Sequence, residues 1–252
     1  MSDNGLTGQN APVAAMAKRN LRNRLVRTRY ASPDSYPVTA LLPGHARQAA
    51  MSRICYFPGQ KLFYARLPKC ANSTIVRTMA HSWRPGLADV RINRLKSLFN
   101  VLPWRREFEA AAKITVLREP VERAVSAWLD KGHNPVFIGQ HRYAGDLETI
   151  PTLEQFLIAL RDNDYYRNGH YLPQLDMIPG AIEQYDVGTV ERLEPFLERV
   201  CTTYFGRFMG LREVRHHATD SRKKKLEINA RERSLIDELY GKDIVFYQSL
   251  LI

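Results

Sequence analysis

Apolar and polar positions change period along this chain in a repeating order. From Lys61 to Leu67, Leu62, Tyr64 and Arg66 alternate with Phe63, Ala65 and Leu67, which is the period of a strand. Pro68 has no N–H to donate and ends the ladder. A short polar loop, Lys69-Cys70-Ala71-Asn72-Ser73, comes next. Then Ile75, Val76, Met79 and Trp83 share one face of a helix, with Asn72 or Ser73 as its N-cap. The order repeats at Lys113 to Leu117, a β-rich run of the kind a buried parallel strand shows. Pro120 opens a helix running through Lys131, with Val121, Ala124, Val125 and Trp128 on one side. A third strand is expected at Tyr185 to Val190, feeding a helix from Glu194 to Tyr204. Further helices are expected at Thr152 to Arg161, at Ala230 to Tyr240 and, as two short pieces, on either side of Pro103. Strands alternating with helices predict an α/β domain. Its central sheet is parallel and flanked by helices, and ligands sit at the carboxyl ends of its strands.

Residues 1 to 50 break this pattern. They are rich in Ala, Asn, Arg and Pro and are punctuated by Pro33, Pro37, Pro43 and Gly44. The reading is a flexible basic leader over residues 1–50, with one short helix around Ala14 to Val26, ahead of a single domain over residues 51–252. Of the formal net charge of +11, +6 falls in the first 60 residues, from eight Lys/Arg against two Asp. Such a leader suits either a solvated tail or a peripheral contact with an acidic surface. With 252 residues, 44% of them hydrophobic, the chain is long enough to bury a sizeable core. No apolar run approaches the length that spans a bilayer. Three scattered cysteines, Cys55, Cys70 and Cys201, suit neither a disulfide framework nor a zinc site, so a reducing cytoplasm is expected. No nucleic-acid motif accompanies the basic runs, and no nucleic-acid partner is expected.

Candidate chemistry gathers at two strand ends. Strand, polar loop, helix start and a loop lysine make an anion site, because backbone N–H groups and the positive end of the helix dipole converge there. The glycines and the Gly-Lys-Ser/Thr ending of a Walker A loop are absent, so an ordinary Mg-nucleotide site is not implied. Arg118 ends the second strand, and Ser126 follows eight residues later, slightly over two helical turns on. A guanidinium and a hydroxyl converging there suit a phosphate monoester. Alternatively, Arg118 pairs with Glu122 and Ser126 is a small packing residue.

Together, Leu67-Pro68-Lys69-Cys70-Ala71-Asn72-Ser73 and Val116-Leu117-Arg118-Glu119-Pro120-Val121-Glu122-Arg123-Ala124-Val125-Ser126-Ala127-Trp128 resemble the two cofactor motifs of sulfotransferases. The likeness is greatest to the carbohydrate (Golgi-type, family 2) branch. Tyr185-Asp186-Val187-Gly188 with Glu191-Arg192-Leu193 resembles the third strand of that family. Tyr240 with Asp243-Ile244-Val245-Phe246 resembles its closing segment, so the likeness spans roughly residues 60 to 248. One departure is His170-Tyr171-Leu172-Pro173-Gln174, where the family often has His-Trp-Arg-Pro-Gln and a cysteine soon after.

The resemblance implies a P-loop-like three-layer fold and 3′-phosphoadenosine 5′-phosphosulfate (PAPS) as sulfuryl donor, with no metal. It implies that Lys69 stabilises the leaving oxygen. Cys70, Ala71, Asn72, Ser73 and Thr74 would hold the phosphosulfate with Lys69, and Arg118 and Ser126 the 3′-phosphate. His170 is the first candidate for general base, Asp89 the rival, and His81 and His133 weaker ones. The acceptor is expected to be a saccharide hydroxyl. A lipid, small-molecule or tyrosine acceptor, or a non-catalytic polyanion-binding protein, are the alternatives.

Overall fold

A computed structural model describes residues 7–132, 151–211 and 227–251. His133, His141, His216, His217 and the basic run Arg222 to Lys225 lie outside the described residues. The elements in order are α1 (Thr7–Arg29), α2 (Gly44–Met51), β1 (Ile54–Phe57), β2 (Leu62–Ala65), α3 (Asn72–Trp83), α4 (Ile92–Phe99) and α5 (Arg105–Ala110). They continue with β3 (Ala112–Leu117), α6 (Pro120–Ala127), α7 (Leu153–Asp162), β4 (Tyr185–Thr189), α8 (Leu193–Phe205) and α9 (Ala230–Ser249). The sheet order is β1-β2-β3-β4. β2, β3 and β4 are parallel, with Tyr64 opposite Ile114 and Leu117 opposite Thr189.

The expected three strands are present, and an unexpected fourth joins them. β1 pairs antiparallel with β2, Ile54 opposite Ala65. Its four residues, Ile54-Cys55-Tyr56-Phe57, are all buried, so no polar alternation marks it as a strand in the sequence. Lys61, at φ 48°, turns the chain back into β2.

The sheet is covered on both faces. Cys55, Phe57, Leu62, Tyr64, Ile114 and Val116 face α3, α4 and α8. Ile54, Tyr56, Phe63 and Ala65 point the other way, into a second apolar cluster. That cluster contains Val26 of α1, Tyr36, Val38, Leu42 and the α2 residues Ala46, Ala49, Ala50 and Met51. This corrects the expected leader over residues 1–50. From Val26 onward the segment covers a sheet face, because the odd and even side chains of a strand need a layer on each side. The Tyr36 hydroxyl donates to the Pro103 carbonyl at 2.6 Å, and Arg22 is ion-paired with Glu107. α1 is also longer than the helix expected from Ala14 to Val26.

Three more boundaries differ. The cap of α3 is Ala71, in the left-handed region at φ 50°, and not Asn72 or Ser73, which lie in the first turn. The helix expected through Lys131 ends as α-helix at Ala127 and widens into a π turn over Trp128–Gly132. α9 runs past Tyr240, where the backbone breaks at φ −127°, and carries the closing segment to Ser249. Among the described residues no helix is long and apolar enough to cross a membrane.

Candidate active site

Parallel pairing brings the carboxyl ends of β2 and β3 side by side, and with them the two motifs. Arg118 Nη1 donates to the Lys69 carbonyl at 3.3 Å, and Arg123 Nε to the Pro68 carbonyl at 3.1 Å. Lys69 and Ala71 both have positive φ, 69° and 50°. Neither is glycine, so the loop holds strained backbone in place of the glycines of a Walker loop. Such a turn aims successive N–H groups at one point. The first-turn N–H groups of α3, at Asn72, Ser73 and Thr74, have no intrahelical acceptor, and the cap residue supplies none. Asn72 Oδ1 is buried without a partner.

The loop opens onto a cleft of about 1710 Å³. Lys69, Ala71, Asn72, Ser73, Thr74, Asp89, Asp130 and His170 all line it, together with seven further Lys or Arg side chains. The expected base and its rival therefore share one cavity with the loop. Cys70 does not line the cleft. Its side chain is fully buried, and Sγ donates to Gln174 Oε1 at 3.1 Å. Burial raises its thiol pKa to about 11, so Cys70 offers only backbone to a ligand. Arg118 and Ser126 also lie outside the lining. Arg118 forms the ion pair with Glu122 at 2.9 Å that the i,i+4 spacing allows, and its Nε is buried and unpartnered. Ser126 is buried on α6. His81 is buried on α3, outside the cleft lining.

The electrostatics are dominated by cations held out of water. Burial lowers the Lys69 pKa, and its ion pair with Asp130 only partly restores it. Burial raises the Asp130 carboxyl, but the bonds and charges of Lys69 and Lys131 outweigh this and hold it low. His170 is pushed down to about 3 by burial, then by Arg53, Lys69 and Lys131, and is neutral at pH 7. Its Nδ1 is buried without a partner. Lys96 of α4 donates to Ser73 Oγ at 2.7 Å, with its pKa lowered to about 8 by burial and Arg66.

Sequence reasoning missed Asp130, Arg53, Arg66 and Lys96 as members of this cleft. None stands in a motif. Arg66 reads in the sequence only as the polar position of a strand, and Asp130, which pairs with Lys69, stands in the π turn that follows α6.

A family model described as the sulfotransferase family, of the family-2 type, matches residues 52–248. The chain belongs to the sulfotransferase family. No curated protein and no solved structure matches it. The sulfotransferase match begins at Ser52, whereas the apolar layer from Val26 to Met51 is part of the same core.

Proposed function

We propose that this sulfotransferase moves a sulfuryl group from PAPS to a hydroxyl of a carbohydrate acceptor. The observation that carries the reading is the convergence in one basic cleft of the strained Lys69–Ala71 loop, the uncapped start of α3 and the neutral imidazole of His170. The residues present suit the donor. The first-turn N–H groups of α3 meet a phosphosulfate, and Arg118 exchanges Glu122 for a phosphate monoester. Bound there, PAPS supplies an activated sulfuryl group.

Lys69 leaves Asp130 and places its ammonium on the oxygen that departs, stabilising the charge that develops on it. His170 takes the proton of the acceptor hydroxyl as the oxygen attacks sulfur. An imidazole whose pKa burial, and then the surrounding cations, hold near 3 is a weak base. A polyanion bound among those cations cancels their field and removes that part of the depression, so the imidazole becomes a better base when the donor is bound.

Calorimetry with 3′-phosphoadenosine 5′-phosphate tests the donor assignment. Lys69→Ala and Arg118→Ala should each weaken binding about tenfold or more, and unchanged tight binding in both removes it. Transfer of radiolabelled sulfate from PAPS across glycans, lipids and tyrosine peptides tests the acceptor. Transfer confined to the last two classes would overturn the carbohydrate reading.

A further inference from the structure

Helix α1 lies outside the region that the family model matches, yet it is bonded to one wall of the cleft. Asn23 clasps the chain just beyond α4 with both ends of its side-chain amide. Its Nδ2 donates to the Asn100 carbonyl at 2.8 Å, and its Oδ1 accepts from the Leu102 N–H at 2.9 Å. One turn earlier on α1, Arg19 donates to the Ser97 carbonyl and to Ser97 Oγ, the latter at 2.9 Å. Arg22 Nε donates to the Leu102 carbonyl at 3.0 Å. Carbonyls in the last turn of a helix are short of intrahelical donors, and cations are favoured there.

What α4 carries into the cleft is Lys96, the neighbour of Ser97. Its Nζ donates at 2.7 Å to Oγ of Ser73 in the first turn of α3, and both residues line the cleft. An ammonium has three donors, and among the described residues Ser73 takes one. α4 by itself does not fix where that ammonium stands. It has eight residues and no side-chain cap at its start, and helices that short are marginal. Leu95, Leu98 and Phe99 hold it to the core through apolar contact, which is non-directional. The bonds from Arg19 and Asn23 are directional, and all of them fall at one end of α4. Asn100 extends the tie to the cleft lining, since its Nδ2 donates to the Ser52 carbonyl at 3.0 Å.

We propose that Arg19 and Asn23 are positioning residues for the donor site, locking α4 so that Lys96 stands against Ser73 and meets the 5′-phosphate of the donor. This rests on the donor reading above. Helix α1 then completes the cleft of the sulfotransferase unit from outside the matched region, in addition to covering the sheet.

A double-mutant cycle read by calorimetry with 3′-phosphoadenosine 5′-phosphate, which keeps the 5′-phosphate, tests it. Lys96→Gln should weaken binding about tenfold. Asn23→Ala should weaken it about threefold to tenfold, because the ammonium is no longer held in place. In the Lys96→Gln background, Asn23→Ala should add less than about twofold, since the group it positions is gone. Its effect on the urea midpoint should be the same in both backgrounds. Leu42→Ala, in the apolar layer that follows α1, should lower the urea midpoint and leave donor affinity unchanged. Should Asn23→Ala fail to fold, Arg19→Ala runs the same cycle without touching the clasp. Equal losses of affinity in both backgrounds overturn the proposal, because they assign α1 a general structural role. A loss of stability with wild-type affinity in Asn23→Ala and Arg19→Ala overturns it as well. If Lys69→Ala weakens binding and Lys96→Gln does not, this proposal falls and the donor reading stands. Unchanged binding in Lys69→Ala, Arg118→Ala and Lys96→Gln alike overturns both.

Discussion

Gln174 clasps the main chain of Arg118 with both ends of its side-chain amide. The Arg118 N–H donates to Gln174 Oε1 and Gln174 Nε2 donates to the Arg118 carbonyl, each at 3.0 Å. Oε1 also accepts from Cys70 Sγ. The Gln174 and Leu175 N–H groups donate to the carboxylate of Asp243, at 2.6 and 3.0 Å. Side chain and main chain of this one buried residue therefore tie the Lys69 loop, the Arg118 strand end, the His170 segment and the closing helix together. Gln174→Leu should lower stability by about 2 to 3 kcal/mol, since it strands buried donors and acceptors. It should also weaken donor binding, because both motifs lose their common brace. Urea unfolding and calorimetry with 3′-phosphoadenosine 5′-phosphate measure the two effects, and a change in neither would show that the clasp is dispensable.

The Lys69–Asp130 pair makes a prediction of opposite sign. A donor must displace Asp130 from Lys69, and a carboxylate in the cleft repels an incoming polyanion. Asp130→Asn should tighten binding of 3′-phosphoadenosine 5′-phosphate by about threefold to tenfold. Weaker binding would mean that Asp130 serves to position Lys69.

His170 gives a pH signature in two measurements. Its folded pKa, about 3, lies below the unfolded value of 6.5, so the unfolded state binds more protons between these limits. The His170 contribution should therefore be fully present above pH 6.5 and be lost as pH falls toward 3. His170→Gln should flatten that part of the melting-temperature profile. Turnover in His170→Ala should fall by about a hundredfold or more with donor affinity intact. Wild-type turnover would move the role to Asp89, which lines the same cleft.

Deleting residues 1–50 should abolish cooperative unfolding. It strips Val26, Tyr36, Val38, Leu42, Ala46, Ala49 and Ala50 from one face of the sheet. Burial of each larger apolar side chain contributes about 1.5 to 3 kcal/mol, and together they rival the whole stability of about 5 to 15 kcal/mol. Tyr36→Ala alone should cost about 3 kcal/mol or more. A truncated chain that melts like the full one would contradict the packed layer.

The local pattern of this chain determined its three parallel strands, the helices between them, and the placing of Lys69 and Arg118 at strand ends. Periodicity and proline positions act over a few residues, and the structure follows them there. The cap of α3 escaped because a left-handed alanine leaves no mark in composition, and β1 because an all-buried strand has no alternation. The segment Val26 to Met51 reads as leader for a related reason. Its apolar residues follow neither period, and they become core only when a sheet face needs covering. Tertiary structure alone decided what the motifs touch. It turned Cys70 into a buried brace on Gln174, gave Lys69 the partner Asp130, and gathered Arg53, Arg66 and Lys96 beside His170. Those meetings join residues that are distant along the chain, and only the pairing of β1, β2 and β3 and the packing of α4 and α6 around them bring such residues within reach.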